Sequence, residues 1–338
     1  QAGKGALDYN HPLNLGAIGV TGTEGANIIG READLIIGIG TRYSDFTSAS
    51  KTAFQNPEMR FININVFEFD AYKHHALPLV GDAQATLQEL MNTLGDFHTS
   101  AAYQQRARDF NDAWDQEVHR IYNLEHDPML SQGEVIGMVN TLTRPKDVVL
   151  CAAGSLPGDL HKLWRTIDPK GYHMEYGYSC MGYEIAGGLG AKMADTERDV
   201  FVMVGDGSFL MMNSEIVTSI QEGLKLIIVV VNNQGFSSVG RVSEQVGSEG
   251  FGCHYRYRTD SGWHDGDILP VDFAKICEGM GALTITVNTR DDLADAISQA
   301  QNADRTTCVV VETDWHERVP GYASWWDMAT AHVSDMPD

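Results

Sequence analysis

Gly205-Asp206-Gly207-Ser208 and Asn232-Asn233 each close an apolar run, and together they supply oxygen ligands of two kinds. The runs, residues 200–204 and 226–231, are continuous rather than alternating, the pattern of parallel strands covered on both faces. Residues 209–222 between them read as a crossover helix. A right-handed crossover brings both strand ends to one edge of the sheet, about 4.8 Å apart if the strands pair directly. Open α/β sheets bind their ligands at that edge. Mg²⁺ wants six oxygens, usually few from protein and the rest from phosphate and water. Asp206 would give a charged oxygen, Asn233 a neutral one, and the Gly235 carbonyl a third. Two diphosphate oxygens and a water would complete the shell. Gly205 and Gly207 let the backbone come close to an anion. With 24 Lys+Arg against 46 Asp+Glu, the net charge is −22. A diphosphate entering that field is helped by a metal ion held between it and the protein.

The spacing carries a resemblance. The Gly-Asp-Gly-Ser motif, Glu215 and Asn233, all behind two β-runs, resemble the thiamine diphosphate (ThDP) motif of the decarboxylase and acetohydroxyacid synthase superfamily. The resemblance implies Asp206, Asn233 and the Gly235 carbonyl as Mg²⁺ ligands. It also implies that Met181, in Gly177-Tyr178-Ser179-Cys180-Met181-Gly182, is the apolar wedge that bends the cofactor into a V. The Ser179 carbonyl would then accept a hydrogen bond from the 4′-amino group. Residues 148–151 read as a strand and 152–158 as the loop after it. By resemblance this loop meets the diphosphate through Gly154, Ser155, Leu156 and Pro157, with Gly205, Gly207, Ser208 and Phe236 completing the cradle. Acetohydroxyacid synthases carry Gln and His in this loop, so the chain departs from them here. Met181 taken alone is equally an ordinary core methionine.

Composition excludes other classes. The chain has 338 residues, 43% hydrophobic and 21% charged, enough for two domains of usual size. No apolar run reaches the roughly 20 residues of a membrane span, and no signal-peptide pattern opens the sequence. The five cysteines make no Cys-x-x-Cys pair, so they imply thiols in a reducing cytoplasm rather than zinc or disulfides. The acidic balance argues against nucleic acid and membrane surfaces.

The expected fold class is α/β, two doubly wound parallel-sheet domains. Residues 1–98 read as a middle domain with strands at 34–40 and 61–66 and helices near 25–33 and 83–94. Residues 99–130 read as a helical connector, with an apolar stripe over 101–123. Residues 131–338 read as the diphosphate-binding domain. Ser131-Gln132-Gly133-Glu134 opens it as a capping box, and about six strands follow, at 148–151, 172–176, 200–204, 226–231, 283–287 and 308–312. Helices at 272–280 and 291–301 alternate with them. Gly38-Ile39-Gly40-Thr41-Arg42 lacks the third glycine of a dinucleotide loop; synthase relatives bind FAD in this domain, and FAD is not expected here. His74-His75, His119 and His126 lack a third ligand at metal-binding spacing.

Residues 3–7, 11–22, 40–47, 177–185, 247–258 and 319–327 resemble trihydroxycyclohexanedione hydrolases of inositol catabolism. The resemblance implies hydrolytic C–C cleavage of a cyclic 1,2-diketone to 5-deoxyglucuronate, with the ThDP thiazolium as electron sink. It implies a homodimer or homotetramer. It also implies a catalytic glutamate on a pyrimidine-binding domain that is not in this chain, which starts inside the middle domain. The expectation is a fragment inactive alone, served by a pyrimidine-domain segment of the same or a neighbouring subunit. His254, Arg256 and Arg258, in a Gly-rich stretch, are candidates to close over a polyol; a solvated loop pairing with acids is the other reading. Trp325 and Trp326 are expected to pack the tail. A carboligase of the acetohydroxyacid synthase or glyoxylate carboligase kind, and a non-catalytic ThDP-fold partner, remain alternatives.

Overall fold

A computed structural model describes residues 2–326 except Tyr176 and Glu249. Tyr176 of the expected strand 172–176, Glu249 of the 247–258 stretch and Asp327 of the 319–327 stretch therefore lie outside the described residues. The chain divides into two compact units, Asn10–Gln116 with residues 320–326, and Glu117–Val319 with the opening segment through Tyr9.

The first unit holds a three-stranded parallel sheet in the order β1 (Leu35–Ile39), β2 (Arg60–Asn65), β3 (Leu77–Val80). Its helices are α1 (Glu24–Glu32), the single turns α2 (Asp45–Ser48) and α3 (Glu68–Ala71), and α4 (Ala83–Leu94). Thr23, Ser44 and Asp82 cap α1, α2 and α4 through their side chains, satisfying N–H groups that a helix start leaves free. Strand β3 follows too short an apolar stretch to have been legible beforehand. Helix α5 (Ala101–Tyr122) bears out the 101–123 pattern, but residues 99–130 are not a separate connector. Gly25 lies against the Phe110 ring and Arg106 pairs with Glu32, so most of α5 packs with the first unit. Trp326 does hold the tail: its indole N–H donates to Asp45 at 2.7 Å and its ring meets Phe46.

The second unit begins with residues assigned from sequence to the other domain. Lys4 Nζ donates to the His161 carbonyl and Tyr9 N–H to the Thr166 carbonyl, which ties the opening segment here. The elements run α6 (Gln132–Leu142), β4 (Val148–Cys151), α7 (Ser155–Leu163), β5 (Tyr172–Met174), α8 (Tyr183–Ala194), β6 (Val200–Gly205), α9 (Asp206–Met211), α10 (Glu215–Gln221) and β7 (Ile227–Asn232). Then follow α11 (Ser237–Gln245), α12 (Phe273–Gly279), β8 (Leu283–Val287), α13 (Arg290–Asn302) and β9 (Thr307–Glu312). Ser131 and Glu134 make the expected capping box at the start of α6.

All six strands of this unit are parallel, in the order β5-β4-β6-β7-β9-β8. β6 and β7 pair directly, Gly205 opposite Val231. The continuous apolar runs have their expected cause, burial on both faces. Val200, Val202, Val204, Ile228 and Val230 share a core with Leu189, Phe209, Ile216 and Phe273, while Phe201, Met203 and Val229 on the other face are fully buried too. One expectation changes: the crossover between β6 and β7 is two short helices, α9 and α10, not one helix over 209–222. The chain turns to the opposite side of β4 between β5 and β6, so the topological switch point lies between the carboxyl ends of β4 and β6.

Candidate cofactor site

A cleft with about 420 Å³ of space, open to solvent, sits at that switch point, where doubly wound sheets bind ligands. Gly154, Ser155 and Leu156 after β4, Met181 before α8, Gly205, Asp206, Gly207 and Ser208 after β6, and Asn233, Gly235 and Phe236 after β7 line it. The structure thus brings together residues that the sequence spreads over more than eighty positions. Ala153, from the expected 152–158 loop, also lines the cleft, as do Gln132, Ser237, Ser238 and Val239, which the sequence reading does not point to. In the sequence Gln132 shows only as the second residue of the Ser131–Glu134 capping box. Ser237 and Ser238 directly follow Phe236 and open α11.

Asp206 is only 1% exposed. Its carboxylate accepts the Gly207 N–H at 2.7 Å and the Gly235 N–H at 2.9 Å, which locks the β6 and β7 loops together. Burial pushes its pKa from 3.8 up to about 7, against the opposing N–H groups of Gly235, Gly207 and Gln234 and with help from nearby Glu312. A cation bound beside this carboxyl would favour its charged form against that burial. The two asparagines divide their roles. Asn232 donates to both oxygens of Glu312 at 2.8 and 2.9 Å and accepts from the Gln234 N–H, so it is structural. Asn233 donates to Ser237 at 3.1 Å, but its Oδ1 is buried with no hydrogen-bond partner. Leaving such an acceptor unmatched costs about 1–3 kcal/mol, a cost that a bound cation would remove. Among the described residues no group of three His, Cys, Asp or Glu could hold a metal. The donor set here is instead one carboxylate, one carboxamide and main-chain carbonyls, which suits a hard cation that keeps phosphate and water ligands.

Gly235 is required by close approach: a Cβ there would lie 2.1 Å from the Cys253 carbonyl oxygen. The Phe236 N–H donates to that same carbonyl at 2.8 Å. A Cβ on Gly207 would meet the Phe236 ring at 2.6 Å. Helices α7, α8 and α11 begin at the cleft, and none has a side-chain cap on its first turn. The dipoles at such helix starts favour an anion.

Ser208 lines the wall, yet its hydroxyl is engaged. It donates to Glu184 at 2.8 Å and accepts the Gly182 N–H at 2.7 Å. Glu184 is 1% exposed and also accepts the Gly182 N–H. Burial raises its pKa, opposed by hydrogen bonds that include the Ser208 hydroxyl and the Ala153 and Gly182 N–H groups. This carboxylate therefore ties the β4 loop, the Met181 loop and the Gly-Asp-Gly-Ser loop together; no sequence signal marked it. Glu175 does comparable work on the Met181 loop, accepting the Tyr178 and Cys180 N–H groups at 3.1 and 2.8 Å. Between them Ser179 adopts φ +53.

Pro157, Ser179 and the three substrate candidates stand apart from the cleft wall, whereas Leu156 lines it. Leu156 and Pro157 are in the first turn of α7 rather than in a loop, and Pro157 is buried away from the cleft wall; proline suits that turn because its missing N–H is not needed there. Ser179 does not line the cleft either. His254, Arg256 and Arg258 are engaged by other groups: the His254 and Trp315 ring centroids lie 3.6 Å apart, Arg256 donates to the Gly266 carbonyl at 3.0 Å, and Arg258 donates to the Gly262 carbonyl. None of the three lines the cleft.

A six-stranded parallel sheet with an acceptor-rich, anion-favouring cleft at its switch point is the frame of a cofactor-binding α/β domain. The sequence matches the family models described as "Thiamine pyrophosphate enzyme, central domain" over residues 1–90 and "Thiamine pyrophosphate enzyme, C-terminal TPP binding domain" over residues 152–311. The chain belongs to the thiamine pyrophosphate enzymes. It is 41% identical to proteins named 3D-(3,5/4)-trihydroxycyclohexane-1,2-dione hydrolase in Bacillus cereus (strain AH820), Bacillus anthracis (strain A0248) and Bacillus thuringiensis (strain Al Hakam). These matches cover 99% of this chain and 56% of each relative, so the chain spans about half the length of the curated relatives it matches. No described helix is long and apolar enough to cross a membrane.

Proposed function

We propose that this chain holds ThDP and Mg²⁺ for hydrolytic cleavage of a C–C bond in a cyclic 1,2-diketone, trihydroxycyclohexane-1,2-dione, yielding 5-deoxy-D-glucuronate. The observation that carries the cofactor reading is the buried, unpartnered Asn233 Oδ1 beside the buried Asp206 carboxylate. The likeness to the named hydrolases supports the substrate.

Asp206, Asn233 and the Gly235 carbonyl hold the metal. The uncapped starts of α7, α8 and α11 receive the diphosphate. Met181 stands in the cleft wall as the wedge, on a loop fixed by Glu175 and by Glu184 with Ser208. When bound, ThDP supplies a carbon nucleophile and an electron sink for C–C cleavage. The main-chain carbonyl of Ser179 receives a hydrogen bond from the aminopyrimidine. A pyrimidine-domain segment, from the same or a neighbouring subunit of a homo-oligomer, brings the glutamate that completes proton transfer, and without it the chain turns nothing over. The five thiols suit a cytoplasmic enzyme.

The test is calorimetry of ThDP with Mg²⁺ and with chelator, followed by an assay of diketone ring opening with the pyrimidine-domain segment present. Mg²⁺-dependent heat and ring opening are expected. Acetolactate formed from pyruvate, with the diketone untouched, would overturn the hydrolase reading.

A further inference from the structure

The Asn233 carboxamide has two ends, and only one is of use to a cation. An inward chain of hydrogen bonds decides which end faces the cleft. It starts at Asp159, a buried carboxylate on α7 that is not part of the cleft wall. Lys162 Nζ lies 3.4 Å from Asp159 Oδ1, and Gln132 Nε2 donates to Oδ2 at 2.6 Å. A carboxylate only accepts, so the amide nitrogen of Gln132 must face it and Gln132 Oε1 must face the other way. Ser155 donates its one hydroxyl proton to that Oε1 at 3.3 Å. Ser155 Oγ is 2.8 Å from Ser237 Oγ; with its own proton spent, Ser155 accepts here and Ser237 donates. The proton of Ser237 is thereby also spent, so the group that Asn233 sets against it at 3.1 Å must be the donor end, Nδ2. Asn233 Oδ1 is left pointing away, and it is the atom without a partner.

We propose that Asp159 is a positioning residue that, through Gln132, Ser155 and Ser237, fixes the Asn233 carboxamide with its oxygen toward the metal. This rests on the reading of Asn233 as an Mg²⁺ ligand. Without Asp159 the chain has no fixed sense: Gln132 can turn over, the two serine protons can reverse, and Asn233 can present its NH₂ to the cation. Partners behind a metal ligand typically affect metal affinity by about 10–100-fold.

The test is a double-variant cycle on the intact protein, read as the Mg²⁺ concentration that half-saturates ThDP binding in calorimetry. In the Asn233 background, Asp159→Ala should raise that concentration roughly tenfold. Asn233→Asp presents two like oxygens and needs a proton from Ser237, so in that background the same substitution, which frees the serine protons to reverse, should not raise it. Gln132→Met, close in size, breaks the chain one link nearer and should give the same pattern should Asp159→Ala fail to fold. Equal losses in both backgrounds, or no loss in the first, would overturn the orienting role while leaving the metal reading intact. ThDP binding by the unmodified protein that is indifferent to Mg²⁺ would overturn the metal reading and this inference with it.

Discussion

The two parallel sheets of this protein close their carboxyl edges in opposite ways. In the three-stranded sheet the polar groups beyond β1 and β2 are matched. Asn63 accepts from the Tyr43 hydroxyl at 2.7 Å and donates to the Ala71 and Lys73 carbonyls. Asn65 donates to the Thr41 carbonyl and accepts the Phe67 N–H. Helices α1, α2 and α4 are capped by side chains, and only the single turn α3 is not. In the six-stranded sheet the edge is left open: Asn233 Oδ1 lacks a partner, and α7, α8 and α11 begin without caps. Within that same unit, α12 and α13 start away from the cleft wall and are capped by Asp272 and Thr289, α10 starts away from it without a side-chain cap, and α6, whose first residue Gln132 lines the cleft, is capped by Ser131. Parallel topology alone therefore does not make a site. Polar groups left unsatisfied at the edge do, because a ligand supplies what the fold withholds.

The contrast can be broken most sharply at Asp206. Asp206→Ala should weaken Mg²⁺-dependent ThDP binding about 100-fold, equivalent to about 2.7 kcal/mol, measured by calorimetry. Asn65→Ala, at the matched edge, should lower stability by about 1–3 kcal/mol in denaturant unfolding and leave ThDP binding unchanged. Retained affinity in Asp206→Ala would remove the distinction between the two edges.

Next in size is the wedge. Met181→Ala should slow C2–H exchange of bound ThDP at least tenfold, seen by NMR with the pyrimidine-domain segment present. Because Met181 is only half-buried, stability should change by about 1 kcal/mol.

Acidity gives a third handle. A proton and Mg²⁺ compete for Asp206, whose metal-free pKa is about 7. Mg²⁺ half-saturation should be nearly constant above that pH and rise about tenfold for each unit below it. Without metal the sign for stability is the reverse of a salt-bridged aspartate. The folded state holds the proton more tightly than the unfolded chain, so the contribution of Asp206 is fully present below pH 3.8 and is lost as pH rises toward about 7. Asp206→Asn should abolish that slope in pH-dependent thermal unfolding.

The smallest expected effect is a control. Thr289→Ala removes the cap of α13 and should cost about 1 kcal/mol of stability, with ThDP affinity unchanged; a linked loss of affinity would mean that capped and uncapped helix starts are not functionally separate.

Much of the frame was legible beforehand, for physical reasons that can be named. The runs ending at Val204 and Val231 contain no polar break because both faces of β6 and β7 are buried. Ser131 and Glu134 announce a helix start because their capping box is made within four residues. Local interactions of this kind are written along the chain. Other features depend on distant partners. The opening residues join the second unit through the carbonyls of His161 and Thr166, and most of α5 joins the first through Phe110 and Arg106. Neither partner is near in sequence. His254, Arg256 and Arg258 looked free for a ligand because nothing along the chain reveals Trp315 or the Gly262 and Gly266 carbonyls beside them.

By itself the sequence determined which residue types stand at the ends of β6 and β7 and, through their motif spacing, the cofactor class they resemble. Only the tertiary structure decided which asparagine is spent on Glu312 and which keeps a bare oxygen, that Glu184 binds three loops together, and that Asp159 stands behind Asn233. Hydrogen-bond satisfaction is a property of groups brought together in space, and a one-dimensional order of residues does not contain it until the chain has folded.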